Sequence, residues 1–166
     1  MSKANLTTAR ARELLEYDPE LGTFSWIDKR KSKRSKTVGH KSIFGYLQIR
    51  IDGYLYMAHR VAMIYMGHED LKSSDQVDHI NGDTLDNRYS NLRIGDRSLN
   101  QQNLRRAKRH NKSGVLGVTF HPKRNNYTAN IVVNGVRKYL GVFMTKEAAG
   151  IAYLEQKRIL HPGCTI

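Results

Sequence analysis

Over Thr8–Tyr17 the apolar residues Ala9, Leu14 and Leu15 sit among Arg10, Arg12 and Glu16, which predicts a short amphipathic helix ended by the Asp18-Pro19 turn signal. Thr23–Ile27 reads as a strand. From Tyr46 the pattern turns to alternation: Tyr46–Ile51, then Asp52-Gly53, then Tyr54–Met57. Asp-Gly between two alternating runs predicts a β-hairpin. Ala58–Met66 returns to helical spacing through Val61, Ala62, Ile64 and Tyr65, with Gly67 placed as a C-cap, so this helix is expected to pack on the hairpin. Trp26, Tyr46, Tyr54 and Tyr56 are then expected in the core.

Further on, Gln76–Ile80 looks like a short strand, Asn81-Gly82-Asp83 a turn, and Asn91–Ile94 a second extended piece. A polar, helix-compatible run covers Ser98–Lys108. The remainder reads as three strands and a helix: Leu116–His121, Tyr127–Val133, Lys138–Phe143 and Glu147–Leu160, with Asn134-Gly135 as a tight turn. Thr145 is placed to N-cap the last helix, Glu147 suits its positive end, and Ala148, Ala149 and Ala152 give it a small face for close approach to the sheet.

Charge narrows the partner. The 166 residues hold 28 Lys and Arg against 15 Asp and Glu, a formal charge of +13, which favours a polyanion, nucleic acid before membrane. Lys29, Arg30, Lys31, Lys33, Arg34, Lys36 and Lys41 form a basic arm without an acid, and Arg105–Lys112 is a second basic stretch; both would neutralise phosphates without reading bases. No apolar run approaches the roughly 18 residues of a bilayer span, so no membrane partner is expected. The lone Cys164 excludes an internal disulfide and fits a reducing, cytoplasmic compartment.

Inside this basic chain lies one acidic island, Asp75, Asp78, Asp83, Asp86 and Asp96, with only Arg88 and Arg93 as counter-charges. Carboxylates near phosphate cost affinity unless a cation compensates them, and Asp and Asn oxygens suit a hard divalent ion. The string Val77-Asp78-His79-Ile80-Asn81-Gly82-Asp83, with Asn87-Arg88, Asn91-Leu92-Arg93 and Asn100-Gln101-Gln102-Asn103, resembles the HNH endonuclease motif of phage and homing nucleases over roughly residues 44 to 107. The resemblance implies a ββα-metal fold. It further implies His79 as general base, Asp78 as a metal ligand, Asn91 as the asparagine tying two strands together, and Asn100 as a second metal ligand in place of the family's last histidine. Asn103 and Asn87 are substitutes for Asn100 and Asn91. The ion implied is Mg²⁺, or another divalent cation such as Mn²⁺. His59, in Ala58-His59-Arg60, is read as the maker of a structural hydrogen bond.

Residues 113 to 160 resemble the APETALA or ethylene-response-factor type of DNA-binding domain through Gly117-Val118, Tyr127-x-Ala129-x-Ile131, Tyr139-Leu140-Gly141-x-Phe143 and Thr145-x-Glu147-Ala148-Ala149-x-x-Ala152-Tyr153. That likeness implies a three-stranded sheet laid on DNA and braced by a helix. Alternation then offers Thr119, His121, Thr128, Asn130, Arg137 or Lys138, and Tyr139 to the duplex, with Lys123 and Arg124 on phosphate.

The expected fold class is α+β: a ββα-metal (HNH) core plus a C-terminal three-stranded antiparallel sheet packed on one helix. The expected division is 1–43 (helix and arm), 44–110 (nuclease core) and 113–163 (DNA reader), with the boundary near His110–Ser113. The expected function is divalent-metal-dependent cleavage of double-stranded DNA, homing-type, and strand-nicking if the chain acts as a monomer. Two other classes stay open: a non-catalytic DNA-binding regulator on a degenerate nuclease scaffold, and an RNA-binding or structural accessory protein.

Overall fold

The computed structural model describes residues 6–28, 38–72, 74–95 and 97–165. The basic arm from Lys29 to Thr37 and Asp96 of the acidic island lie outside the described residues. The chain divides into two compact units, Met1–Asp96 and Arg97–Ile166, so the division falls earlier than the boundary expected near His110. No helix among the described residues is long and apolar enough to cross a membrane.

In the first unit, Thr7 caps α1 (Thr8–Leu14) by accepting the Arg10 N–H on its hydroxyl. The helix is shorter than the periodicity predicts, because Leu15–Asp18 leaves it as strand β1 and pairs antiparallel with β2 (Thr23–Trp26). Alternation decides this: Leu15 and Tyr17 are buried while Glu16 and Asp18 are exposed, a period of two that no helix satisfies. β3 (His40–Lys41), part of the expected arm, pairs instead with β4 (Leu47–Ile51), which forms the predicted hairpin with β5 (Tyr54–Met57) across Asp52-Gly53. Both turn residues have positive φ, as a tight two-residue turn requires.

α2 (Ala58–Tyr65) follows without a break and buries nearly all its residues, Ala58, His59, Val61, Ala62, Met63 and Ile64. β6 (Gln76–His79) and β7 (Leu92–Gly95) then form a second two-stranded ladder. One apolar core joins Leu6, Ala11, Leu15 and Phe24 to Ile49, Val61 and Leu92. The N-terminal segment is therefore part of this core rather than the separate helix and arm expected: Thr8 donates to the Ile64 carbonyl at 2.6 Å and Arg12 to that of Tyr65 at 3.0 Å. Gly22 is pressed against the backbone of Asn87 and Arg88, where a Cβ would clash, which locks the β1–β2 turn onto the loop before β7.

The second unit begins with α3 (Arg97–Gln102), shorter than the expected run to Lys108. The C-terminal tail holds it: the Gly163 N–H donates to Gln102 Oε1 and the Thr165 hydroxyl to Asn103 Oδ1. β8 (Val118–His121), β9 (Asn126–Val133) and β10 (Val136–Phe143) make an antiparallel sheet in the order β10-β9-β8. α4 (Lys146–Leu160) is capped by Thr145 and packs Ala149 and Tyr153 against Val118, Ala129 and Ile131. The fully buried Lys157 donates from Nζ to the Leu104 carbonyl, tying the helix to the segment after α3.

Gly117 and Gly114 both adopt positive φ, but a Cβ at Gly117 would fall inside the Tyr153 ring whereas one at Gly114 meets nothing. Gly114→Ala is therefore expected to cost about 1 kcal/mol from backbone strain, and Gly117→Ala about 2–5 kcal/mol from strain and overpacking together. Urea unfolding of the full chain measures both; equal losses would mean that the ring moves aside freely.

Candidate functional site

Within the first unit, the elements converge on two buried imidazoles. His79 closes β6 at 4% exposure, and His59 lies one residue into α2 at 7%. α2 is fastened to the entrance of β6 by Arg60, whose guanidinium donates to the carbonyls of Asp75 and Lys72, both at 2.6 Å. The two histidine rings meet edge to face, centroids 5.1 Å apart and planes at 84°. Tyr46, just before β4, closes the cluster, with its ring centroid 5.4 Å from that of His59 and 6.0 Å from that of His79.

Asn87 supplies the polar contact to His79. Its Nδ2 donates to the Leu85 carbonyl at 3.0 Å, which turns its Oδ1 toward His79 Nε2 at 3.4 Å. An amide oxygen only accepts, so this contact favours the proton on Nε2 and the basic lone pair on Nδ1. The Tyr17 hydroxyl in turn donates to the Asn87 carbonyl at 2.6 Å, so the N-terminal hairpin steadies the asparagine. Asn91 is buried in the short turn before β7. Its Oδ1 accepts from the Asn81 N–H at 2.9 Å and its Nδ2 donates to the Asp86 carbonyl at 2.8 Å. With the Ile80 N–H on the Asn91 carbonyl, these bonds fold the 80–91 loop back on itself. Asn91 thus holds this loop through both its side chain and its backbone.

The acidic island is largely compensated from within. Arg88 pairs with Asp86 and holds its carboxyl down to about 2. Arg93 pairs with Asp78. Asp83 and Asp75 accept backbone N–H groups of Leu85 and Lys72. The cation expected from outside is therefore in part replaced by arginines.

Burial lowers the pKa of both histidines. For His59 burial comes first, then the neighbouring His79, and together they bring it down to about 3. For His79 burial outweighs the opposing pull of Asn87 and Asp78. The hydrogen bond expected of His59 is not made by its Nδ1, which is buried without a hydrogen-bond partner among the described residues because rings rather than polar groups surround it.

Asp78 and His79 stand in the first unit and Asn100 in the second, on α3. Among the described residues no group of three or more His, Cys, Asp or Glu side chains could hold a metal ion. Taken each by itself, the Asp78 carboxylate and the Asn100 amide offer hard oxygens of the kind Mg²⁺ takes, an ion that commonly keeps waters and substrate phosphate as its other ligands.

The second unit puts Thr119, His121, Thr128, Asn130, Arg137 and Tyr139 on one face. Thr119 pairs with Thr128, Asn130 with Tyr139 and Val132 with Arg137, and this row faces away from the Val118, Ala129 and Ile131 side buried by α4. Lys138 pairs with the buried Ile131 and so belongs to the other face, opposite to Arg137. Lys123 and Arg124 occupy the exposed turn between β8 and β9. The Thr128 hydroxyl and His121 Nε2 lie 2.8 Å apart.

Residues 56–102, from β5 through α3, match a family model described as HNH endonuclease. The matched stretch contains His59, Asp78, His79, Asn91 and Asn100. Among curated proteins none matches the chain. A solved structure of the HNH homing endonuclease I-HmuI, concerned with DNA binding and cleavage, aligns with 90% of this chain and 88% of its own at 18% sequence identity and a TM-score of 0.41.

Because both buried histidines have depressed pKa values, the folded state excludes protons that the unfolded chain takes up below about pH 6.5. Their contribution to stability is complete above that pH and is lost progressively as pH falls toward the folded values. His59→Phe is expected to lower the slope of unfolding free energy against pH by about 1.4 kcal/mol per unit between about pH 4 and 6. Urea melts across that range check it, and an unchanged slope would mean that His59 is protonated in the native state.

Proposed function

We propose that the protein is a divalent-metal-dependent DNA endonuclease, homing-type and strand-nicking as a monomer, with His79 as general base and Asp78 and Asn100 as metal ligands. The observation that carries this reading is a buried imidazole kept neutral by its surroundings, next in sequence to a carboxylate, inside the segment that matches the HNH endonuclease family.

The chemistry follows from the residues. His79 accepts a proton at Nδ1 from a water attacking the phosphodiester, and its lowered pKa keeps that nitrogen unprotonated at neutral pH. Asn87 keeps the ring oriented, and Asn91 keeps the loop after His79 folded. Asp78 and Asn100 would hold Mg²⁺ or Mn²⁺ through oxygen. The ion, when bound, supplies positive charge for the phosphate as it develops negative charge in the transition state. The products of this chemistry carry 5′-phosphate and 3′-hydroxyl ends.

The sheet of the second unit is proposed as the DNA-reading surface, with Thr119, His121, Asn130, Arg137 and Tyr139 toward the duplex and Lys123 and Arg124 on phosphate. The common face given by the strand register supports it, as does the exposure of Tyr139 at 64%. An aromatic held out in water on a basic surface has a nucleic-acid partner as its natural cover.

Supercoiled plasmid is expected to become nicked circles with Mg²⁺ and to stay intact in chelator. His79→Ala is expected to lose at least about a hundredfold in rate while still retarding DNA in a gel. Equal conversion by wild type and His79→Ala would leave a DNA-binding regulator as the better reading. In the same gel assay, Lys123→Ala is expected to reduce the slope of log affinity against log salt by about 1, with the nicking rate on saturated DNA unchanged. An unaltered slope would remove this turn from the interface.

A further inference from the structure

Asp78 and Arg93 stand directly opposite each other in the β6–β7 ladder. The guanidinium brings two donors, Nε at 3.2 Å and Nη2 at 2.9 Å, to the same carboxylate oxygen, Oδ2. Both side chains are mostly buried, 21% exposed for Arg93 and 18% for Asp78, so salt screens the pair less than it would a surface contact. The other arginines of this region have different tasks: Arg88 is on Asp86, and Arg60 is on the Asp75 and Lys72 carbonyls. Arg93 is the side chain that the fold aims at the proposed metal-ligating carboxylate from the next strand.

A guanidinium and a divalent ion make the same demand on a carboxylate, which is negative charge and lone pairs, and they repel each other across the few ångströms that would separate them. The pair is local, fixed by strand register rather than by a long flexible reach, so it forms whenever the ladder forms. We propose that Arg93 is a resident counter-ion for Asp78: it holds the carboxylate while no metal is bound, and a divalent ion loads by taking Oδ2 from it. This rests on the reading of Asp78 as a metal ligand. Arg93 acts here as a positioning residue. It offsets the charge of the Asp78 carboxylate within the ladder, and it sets the metal affinity of the free protein below what the carboxylate alone would give.

Metal-stripped full-length protein, titrated with Mn²⁺ in the absence of DNA and followed by the electron paramagnetic resonance signal of the free ion, tests this. Arg93→Gln keeps amide hydrogen bonding without charge and is expected to bind Mn²⁺ about tenfold more tightly than wild type. Arg93→Lys keeps the charge without the two-donor fork and is expected to fall between the two. Binding by Arg93→Gln that equals or is weaker than wild type overturns the proposal, since a side chain that only braces the ladder cannot raise metal affinity when removed. Urea melts establish that each variant is folded; if Arg93→Gln is not, Arg93→Lys carries the comparison, and no gain over wild type again overturns it. Asp78→Asn separates the two levels of the argument. Loss of Mn²⁺ binding supports the carboxylate as ligand, whereas wild-type affinity removes the metal-site reading itself, whatever the Arg93 variants show.

Discussion

Two imidazoles share one buried pocket, and a pocket of that kind tolerates them only without charge. His59 and His79 meet edge to face with Tyr46 beside them, and burial depresses both pKa values. Protonating either would place a cation among rings and against its neighbour, far from water. The proposed chemistry of the site depends on this exclusion: a base is useful at neutral pH only if it arrives unprotonated, and here packing rather than a specific hydrogen bond enforces it. The same packing makes the histidines an acid-labile part of the core.

Around that pocket the polar groups are used to hold a loop. The 80–91 segment is stitched by Asn91 to Asn81 and Asp86, and Asn87 is gripped by Tyr17 on one side and Leu85 on the other before it reaches His79. Gly22 allows the β1–β2 turn to sit on this loop without a clash. An N-terminal segment that looks like an appendage is thereby a brace for the site. The carboxylates that would otherwise repel one another across the same loop are settled by Arg88, Arg93 and backbone N–H groups, so the loop keeps its shape by internal pairing.

The hairpin at Asp52-Gly53, the α2 helix, the β6 and β7 strands and the C-terminal sheet with its capped helix were legible, because each has a local cause: a turn pair, an apolar period or a cap. The Asp78-His79 pair and the asparagines stood out by their resemblance to a family motif, and of these the structure brings Asn87 to His79. What the sequence hid is set by long-range contact. Leu15–Asp18 leaves α1 because burial on a core assembled from distant segments selects its alternation. α3 groups with the C-terminal unit because Gly163 and Thr165 reach back to it from more than sixty positions away. Tyr46 reads as one more apolar residue of a strand, and nothing local marks it as a neighbour of two histidines. Lys157 is fully buried on a carbonyl, an arrangement that only the tertiary fold reveals. The Arg93–Asp78 pair was hidden for a related reason: both residues were visible, but their opposition depends on strand register.

Whether a buried, neutral His79 drives phosphodiester cleavage is decided most directly by the pH dependence of single-turnover nicking at saturating Mg²⁺. A base whose pKa lies below the ordinary imidazole value gives a rate that climbs in acid and is level by neutral pH. A rate that keeps rising tenfold per pH unit through pH 7 to about 9, with no plateau, would show that His79 is not the group that takes the proton.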